Sequence, residues 1–186
     1  MPEGPRLKLT IRAPLDTLFS WGIFMLEIVT YGDEMLTTKA EPVREFGPEI
    51  VRLAADMLDT MRRGRGIGLA GPQVGRLFRI FVAQVDDDKP RVFINPEIVL
   101  TSQDESDYEE GCLSLPGLYV GVKRPAAVKM QAWNEKGRPF TTEADGLLAR
   151  VMLHEYDHLD GILFIDRLSP AKRERALGQY LRMIRM

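Results

Sequence analysis

The stretch LHEYDHLDG, residues 153–161, holds both histidines of the chain, His154 and His158, with Glu155 beside the first. Residues four apart on a helix share one face, with Cβ atoms about 5–6 Å apart. Two imidazoles so placed can reach one metal ion, at about 2.0–2.1 Å each. Glu155, one step round the helix, can take a proton from water at that ion without being a ligand. The plainer alternative is an ordinary helix with two polar side chains in solvent, and the flanking pattern opposes it. Leu147, Val151, His154 and His158 form one stripe, and Leu148, Met152, Glu155 and Leu159 form the next. Imidazoles that continue an apolar stripe are costly without a partner. A catalytic metal usually takes three protein ligands and keeps one position for water. The chain has no third histidine, so the third ligand is a carboxylate or its single thiol, Cys112, in EEGCLSLPG, residues 109–117. Alone, a lone cysteine reads as a small buried hydrophobe; beside the histidine pair it becomes a candidate ligand.

A second stretch, GRGIGLAGPQVG at 64–75, spaces Gly66, Gly68 and Gly71 as G-x-G-x-x-G. A dinucleotide fingerprint follows a strand and opens a helix. This stretch follows a helical pattern and runs into a strand, so the nucleotide reading is rejected. What remains is backbone able to approach another group closely, with the Gln73 side-chain amide nearby.

These residues need elements to hold them. Ile50, Leu53, Ala54, Met57, Leu58 and Met61 recur at helical spacing over 49–63, with Pro48 to open the helix and Gly64 to close it. Residues 77–85 and 91–99 read as strands, and 126–143 reads as a hairpin turning at NEKG. Residues 146–159 read as the motif-bearing helix, with Asp145 as N-cap and Gly161 past its end. Ser169 and Pro170 open a C-terminal helix over 169–186. This order is α+β rather than a regular alternation.

Composition limits the function classes. A chain of 186 residues with 45% hydrophobic and 28% charged residues suits one soluble globular domain. The net charge of −2 leaves no global basic field, so DNA is not an expected partner. One cysteine excludes an intrachain disulfide and suits a reducing, cytoplasmic compartment. The longest apolar run, TLFSWGIFMLEIV at 17–29, is too short to span a membrane and is broken by Glu27. Residues 1–24 read as an extension, or as sequence upstream of a natural start at Met25.

Three stretches in order, GIGLAGPQ at 66–73, EGCLS at 110–114 and HEYDH at 154–158, resemble the three signature motifs of the peptide deformylases. INPEI at 94–98 and the sequence around the third motif add to the resemblance, which covers residues 25–186 as one catalytic domain. It implies antiparallel sheets packed around a central metal-binding helix, with a C-terminal helix. It implies a metal held by Cys112, His154 and His158: ferrous iron in the family, with zinc, nickel or cobalt as substitutes. It implies removal of the formyl group from the N-terminal formylmethionine of nascent proteins, releasing formate. Glu155 is then the base, and Gln73 and the Leu113 backbone N–H are donors to the oxyanion. Ile67, Gly68 and the apolar side of the 146–159 helix line the methionine pocket. Two positions depart from the family: Gly71 stands where alanine is usual, and Leu153 where glutamine is usual.

Three rival readings remain. A zinc endopeptidase would not need Cys112, a retired relative would bind metal without turnover, and a related amidase would take another small acyl group. The basic residues Lys172, Arg173, Arg175, Arg182 and Arg185 of the C-terminal helix suit a solvated face, or docking on the ribosome.

Overall fold

The computed structural model describes residues 26–86 and 88–185, so the extension expected over 1–24 lies outside the described residues. Three α-helices are present among the described residues: α1 (Pro48–Arg63), α2 (Gly146–Leu159) and α3 (Pro170–Met183). Seven strands accompany them: β1 (Gly68–Ala70), β2 (Ile80–Ala83), β3 (Arg91–Thr101), β4 (Glu105–Cys112), β5 (Leu115–Pro125), β6 (Ala127–Trp133) and β7 (Pro139–Asp145). Antiparallel pairing builds a five-stranded sheet in the order β1-β2-β3-β6-β7 and a separate two-stranded β4-β5 hairpin. The α+β architecture expected from the sequence is the one observed. No helix among the described residues is long and apolar enough to cross a membrane.

The helix limits agree closely with the sequence signals. Pro48 stands at the first turn of α1 and Gly64 follows its last residue. Asp145 and Ser169 occupy the N-cap positions of α2 and α3, but neither side chain makes a capping hydrogen bond. The expected hairpin is β6–β7, pairing Ala127 with Asp145 through Trp133 with Pro139. The strand expected over 77–85 is shorter, confined to the four buried residues of β2. The β4–β5 hairpin and the three-residue β1 have no counterpart among the sequence expectations.

Helix α2 packs between the two sheets. On one side Ala149, Met152, Leu153 and Leu159 join Phe81, Phe93, Val128 and Met130 of the large sheet in one apolar cluster. The Phe81 and Phe93 rings stack there with centroids 4.5 Å apart. A second cluster seats Ala54, Met57 and Met61 of α1 against Leu69, Ile80 and Val82. A third joins Leu115, Leu118 and Val122 of β5 to Phe164 and Ile165 and to Ala176 and Tyr180 of α3, with Cys112 at its border. The element that carries the histidines is thus held on both sides, and the hairpin that carries Cys112 is backed by α3 through β5.

Candidate metal centre and active site

The last two turns of α2 bring His154 and His158 to one face, with ring centroids 5.1 Å apart. Cys112, the last residue of β4, meets them: its Sγ lies 3.3 Å from His158 Nε2. One donor atom from each of Cys112, His154 and His158 lies within 4.8 Å of the others. Ligands at about 2.0–2.3 Å from a shared ion stand at such separations, so the three residues fit a tetrahedral centre with one position open.

His154 is oriented from behind. Its Nδ1 lies 2.8 Å from Glu110 Oε2, which leaves Nε2 to face the thiol and the second histidine. Glu110 is only 5% exposed. Its carboxylate also accepts from Arg124 Nε at 2.6 Å, Arg124 Nη2 at 2.9 Å and Arg150 Nη1 at 2.9 Å. Arg124 reaches on to Asp157 Oδ2 at 2.7 Å, and Arg167 closes the far side of Asp157. A buried ionic network therefore joins β4, β5 and α2, the elements on which the three candidate ligands stand or lean.

The sequence reading assigned no role to Glu110, Arg124, Arg150, Asp157 or Arg167. One signal was available. Arg150 precedes His154 by one helical turn on a face that is otherwise buried, and a cation there requires an acid partner.

The electrostatics suit a cation among the three candidate ligands. Burial opposes charge on His154, but hydrogen bonds to Cys112 and Glu110 outweigh it and raise its pKa to about 10. Burial, then the charges of His154 and Arg124, hold His158 well below the usual histidine range. A proton held on His154 would have to leave when a cation binds there. Burial also favours protonation of Glu110, but hydrogen bonds from His154 and Arg124 reverse this and hold it well below the usual carboxylate range.

Glu155 is 4% exposed, and its Oε2 is buried without a hydrogen-bond partner. Burial is the main cause that lifts its pKa to about 7, with His154 opposing and Glu110 assisting. Gly68 explains how a carboxylate fits there. A Cβ at that position would run into the Glu155 carboxyl group and come within 2.8 Å of Val151 Cγ1. The close approach expected of the glycine-rich stretch is therefore an approach to Glu155.

A cavity of about 540 Å³ opens over this site. Ile67, Gly68, Gln73, Cys112, Leu113, His154 and Glu155 all line it, together with Leu147 and Val151 from α2. His158 is 1% exposed and lies behind Cys112 rather than in the lining. Gln73 is fixed at its oxygen by the Ala70 N–H at 2.8 Å, while its amide nitrogen lies 3.3 Å from both Cys112 Sγ and Ser114 Oγ. The contact to Cys112 turns one amide N–H toward the candidate ligand set.

A family model described as polypeptide deformylase matches residues 25–174. The chain belongs to the peptide deformylase family. The peptide deformylase of Neisseria gonorrhoeae is 50% identical over 153 residues, 81% of this chain and 91% of that protein. A solved peptide deformylase from Legionella pneumophila aligns with TM-score 0.82 at 41% identity, covering 87% of this chain and 96% of its own. One from Synechococcus elongatus, in complex with actinonin, aligns with TM-score 0.79 at 40% identity, covering 83% and 86%.

The two departures from the deformylase pattern fall on packed positions. Gly71 is buried, and a Cβ there would meet the Arg76 and Phe78 carbonyl oxygens at 2.6 and 2.7 Å. The turn in this chain is thus closed more tightly than an alanine allows. Leu153 sits in the apolar cluster between α2 and the large sheet, so its side chain adds to packing.

Proposed function

We infer that this chain performs the family's reaction. It is a metal-dependent hydrolase that removes the formyl group from the N-terminal formylmethionine of newly synthesised proteins and releases formate. The single observation that carries the assignment of roles is the meeting of Cys112, His154 and His158 beside a buried, unpartnered Glu155 at a cavity wall.

Cys112, His154 and His158 hold one divalent ion, and Glu110 keeps His154 turned toward it. Such an ion acidifies water and polarises a carbonyl. Glu155, lifted to about 7 by burial, takes a proton from the attacking water near neutral pH and returns it to the departing amine. Gln73 and the Leu113 N–H donate to the oxygen on which charge develops. Ile67, Gly68, Leu147 and Val151 receive the methionine side chain in the apolar part of the cavity. Strand β1 ends the large sheet and β4 pairs only with β5, so two open strand edges border the cavity and can hydrogen-bond an extended peptide.

Ferrous iron is the ion proposed, on the family resemblance. Zinc binds such donors more tightly by the usual affinity order, so the loaded metal has to be counted. The catalytic domain proposed is 25–186, with 1–24 an extension. The reaction is assigned to the cytoplasm, where Cys112 stays reduced.

Docking of α3 on the ribosome is proposed from its exposed Lys172, Arg175 and Arg182, with Arg185 just past its end. Ala176 and Tyr180 bury α3 in the cluster with Leu118, so deleting the helix would damage the fold. Lys172→Glu with Arg175→Glu is the cleaner probe, and unchanged ribosome co-sedimentation removes the idea.

The reaction is tested by formate release from an N-formyl-Met tripeptide, with protein purified without oxygen and its metal counted, beside Glu155→Gln. Release that collapses in the variant at equal metal content supports the assignment. Absence of release from folded, fully metallated protein overturns it. Actinonin should bind the same site and block release.

A further inference from the structure

The cavity has charge at its mouth that the reaction does not use. Arg65, Glu109, Glu110, His154 and Glu155 are among the side chains that line it. The last three are buried and belong to the chemistry, whereas Arg65 and Glu109 are exposed. One comes from the α1–β1 turn and the other from β4, the two strips of chain between which an extended peptide would leave the site.

Both are held in place and left unpaired. Arg65 has φ 56°, in the left-handed region, between Gly64 and Gly66. The Leu113 side chain packs on both glycines: a Cβ at Gly64 or Gly66 would lie 3.2 or 2.8 Å from its Cδ1. The turn that presents Arg65 is therefore clamped to the strand end that carries Cys112. On β4, Glu109 stands opposite Gly121, which has no side chain to answer it, while its neighbour on the same face, Asp107, stands opposite Lys123. Neither Arg65 nor Glu109 has an ion-pair partner among the described residues.

We propose that Arg65 and Glu109 select the charge of the substrate residues that follow formylmethionine. The inference rests on the deformylase reading above. Side chains of an extended peptide that point out of the cavity stand beside side chains of the strips that flank it, so each meets the charge of the strip it passes. An acidic residue is preferred where the chain passes Arg65, and a basic residue where it passes Glu109. The charges are exposed, so the preference is modest and screened by salt.

The test uses metal-loaded protein and C-terminally amidated N-formyl-Met tripeptides with Asp or Lys at the second or third position, beside a neutral Ala-Ala peptide. At one position Asp is expected to exceed Lys by about fivefold in kcat/KM, carried by KM. Arg65→Glu reverses that ratio. At the other position Lys exceeds Asp, and Glu109→Lys reverses it. Both preferences shrink in about 0.5 M salt. Ratios near one at both positions, or ratios that survive both charge reversals, overturn the proposal while cleavage of the neutral peptide leaves the deformylase reading intact. No cleavage of the neutral peptide sinks that reading, and the proposal with it.

Discussion

Glu110→Gln tests whether the buried network holds the metal site. The wild-type carboxylate accepts four hydrogen bonds: Oε1 from Arg124 Nε and Arg150 Nη1, Oε2 from Arg124 Nη2 and His154 Nδ1. A glutamine has the same shape but one oxygen and one NH2. With its oxygen at the Oε1 place, its NH2 faces two donors, and the bonds from Arg124 Nη2 and His154 are lost. Charge-assisted bonds contribute about 1.5–3 kcal/mol each, so two amount to about 3–6 kcal/mol. The lower end applies, because Arg124 keeps Asp157 while Arg150 keeps the Val122 and Ser106 carbonyls. A loss of about 3 kcal/mol moves a urea midpoint down by about 1.5 M for a slope near 2 kcal/mol per M. His154 also loses the partner that fixes its ring, and metal affinity should fall about 10–100-fold. The assays are urea unfolding of the metal-free protein and competition against a chelator for the metal. An unchanged midpoint together with an affinity within about twofold of wild type would refute the argument that Glu110 orients His154.

Cys112→Ser should cost more than about 100-fold in metal affinity, since it removes a proposed ligand rather than a supporting contact. Full metal content in that variant would favour the zinc endopeptidase reading. Gly68→Ala should lower kcat about 100-fold by pushing the Glu155 carboxylate aside, with metal content unchanged. A normal kcat there would mean that the position of Glu155 is not critical. Chelation should abolish formate release, and returning one equivalent of divalent metal should restore it; release that persists without metal would rule out a metal-dependent reaction.

The part of the molecule legible from its sequence is the part where local chemistry and burial agree. Helix α1 has apolar residues at helical spacing between Pro48 and Gly64, and its bounds followed directly. Helix α2 carries both histidines and the base within five residues, so one local pattern contains most of the chemistry. The β6–β7 hairpin alternates as a half-buried strand pair should.

The β4–β5 hairpin was missed for a physical reason that also bears on function. Strand β4 buries only Glu110 fully and leaves half of its residues exposed, so it presents no apolar alternation. Opposite it, β5 turns Arg124 inward, 4% exposed, toward Glu110 and Asp157. On β4 a face built from ion pairs reads in sequence as a polar loop, although β5 places Leu118, Val120 and Val122 on its inward face before Arg124. Apolar side chains on that face would have made the strands obvious, but they could not accept a hydrogen bond from His154 Nδ1. The third candidate ligand, Cys112, stands at the end of this same strand, so the hairpin both supplies a donor and orients another. The charge that hid β4 from pattern reading is therefore the one that keeps the histidine ring aimed, which is why Glu110→Gln should disturb stability and metal affinity together.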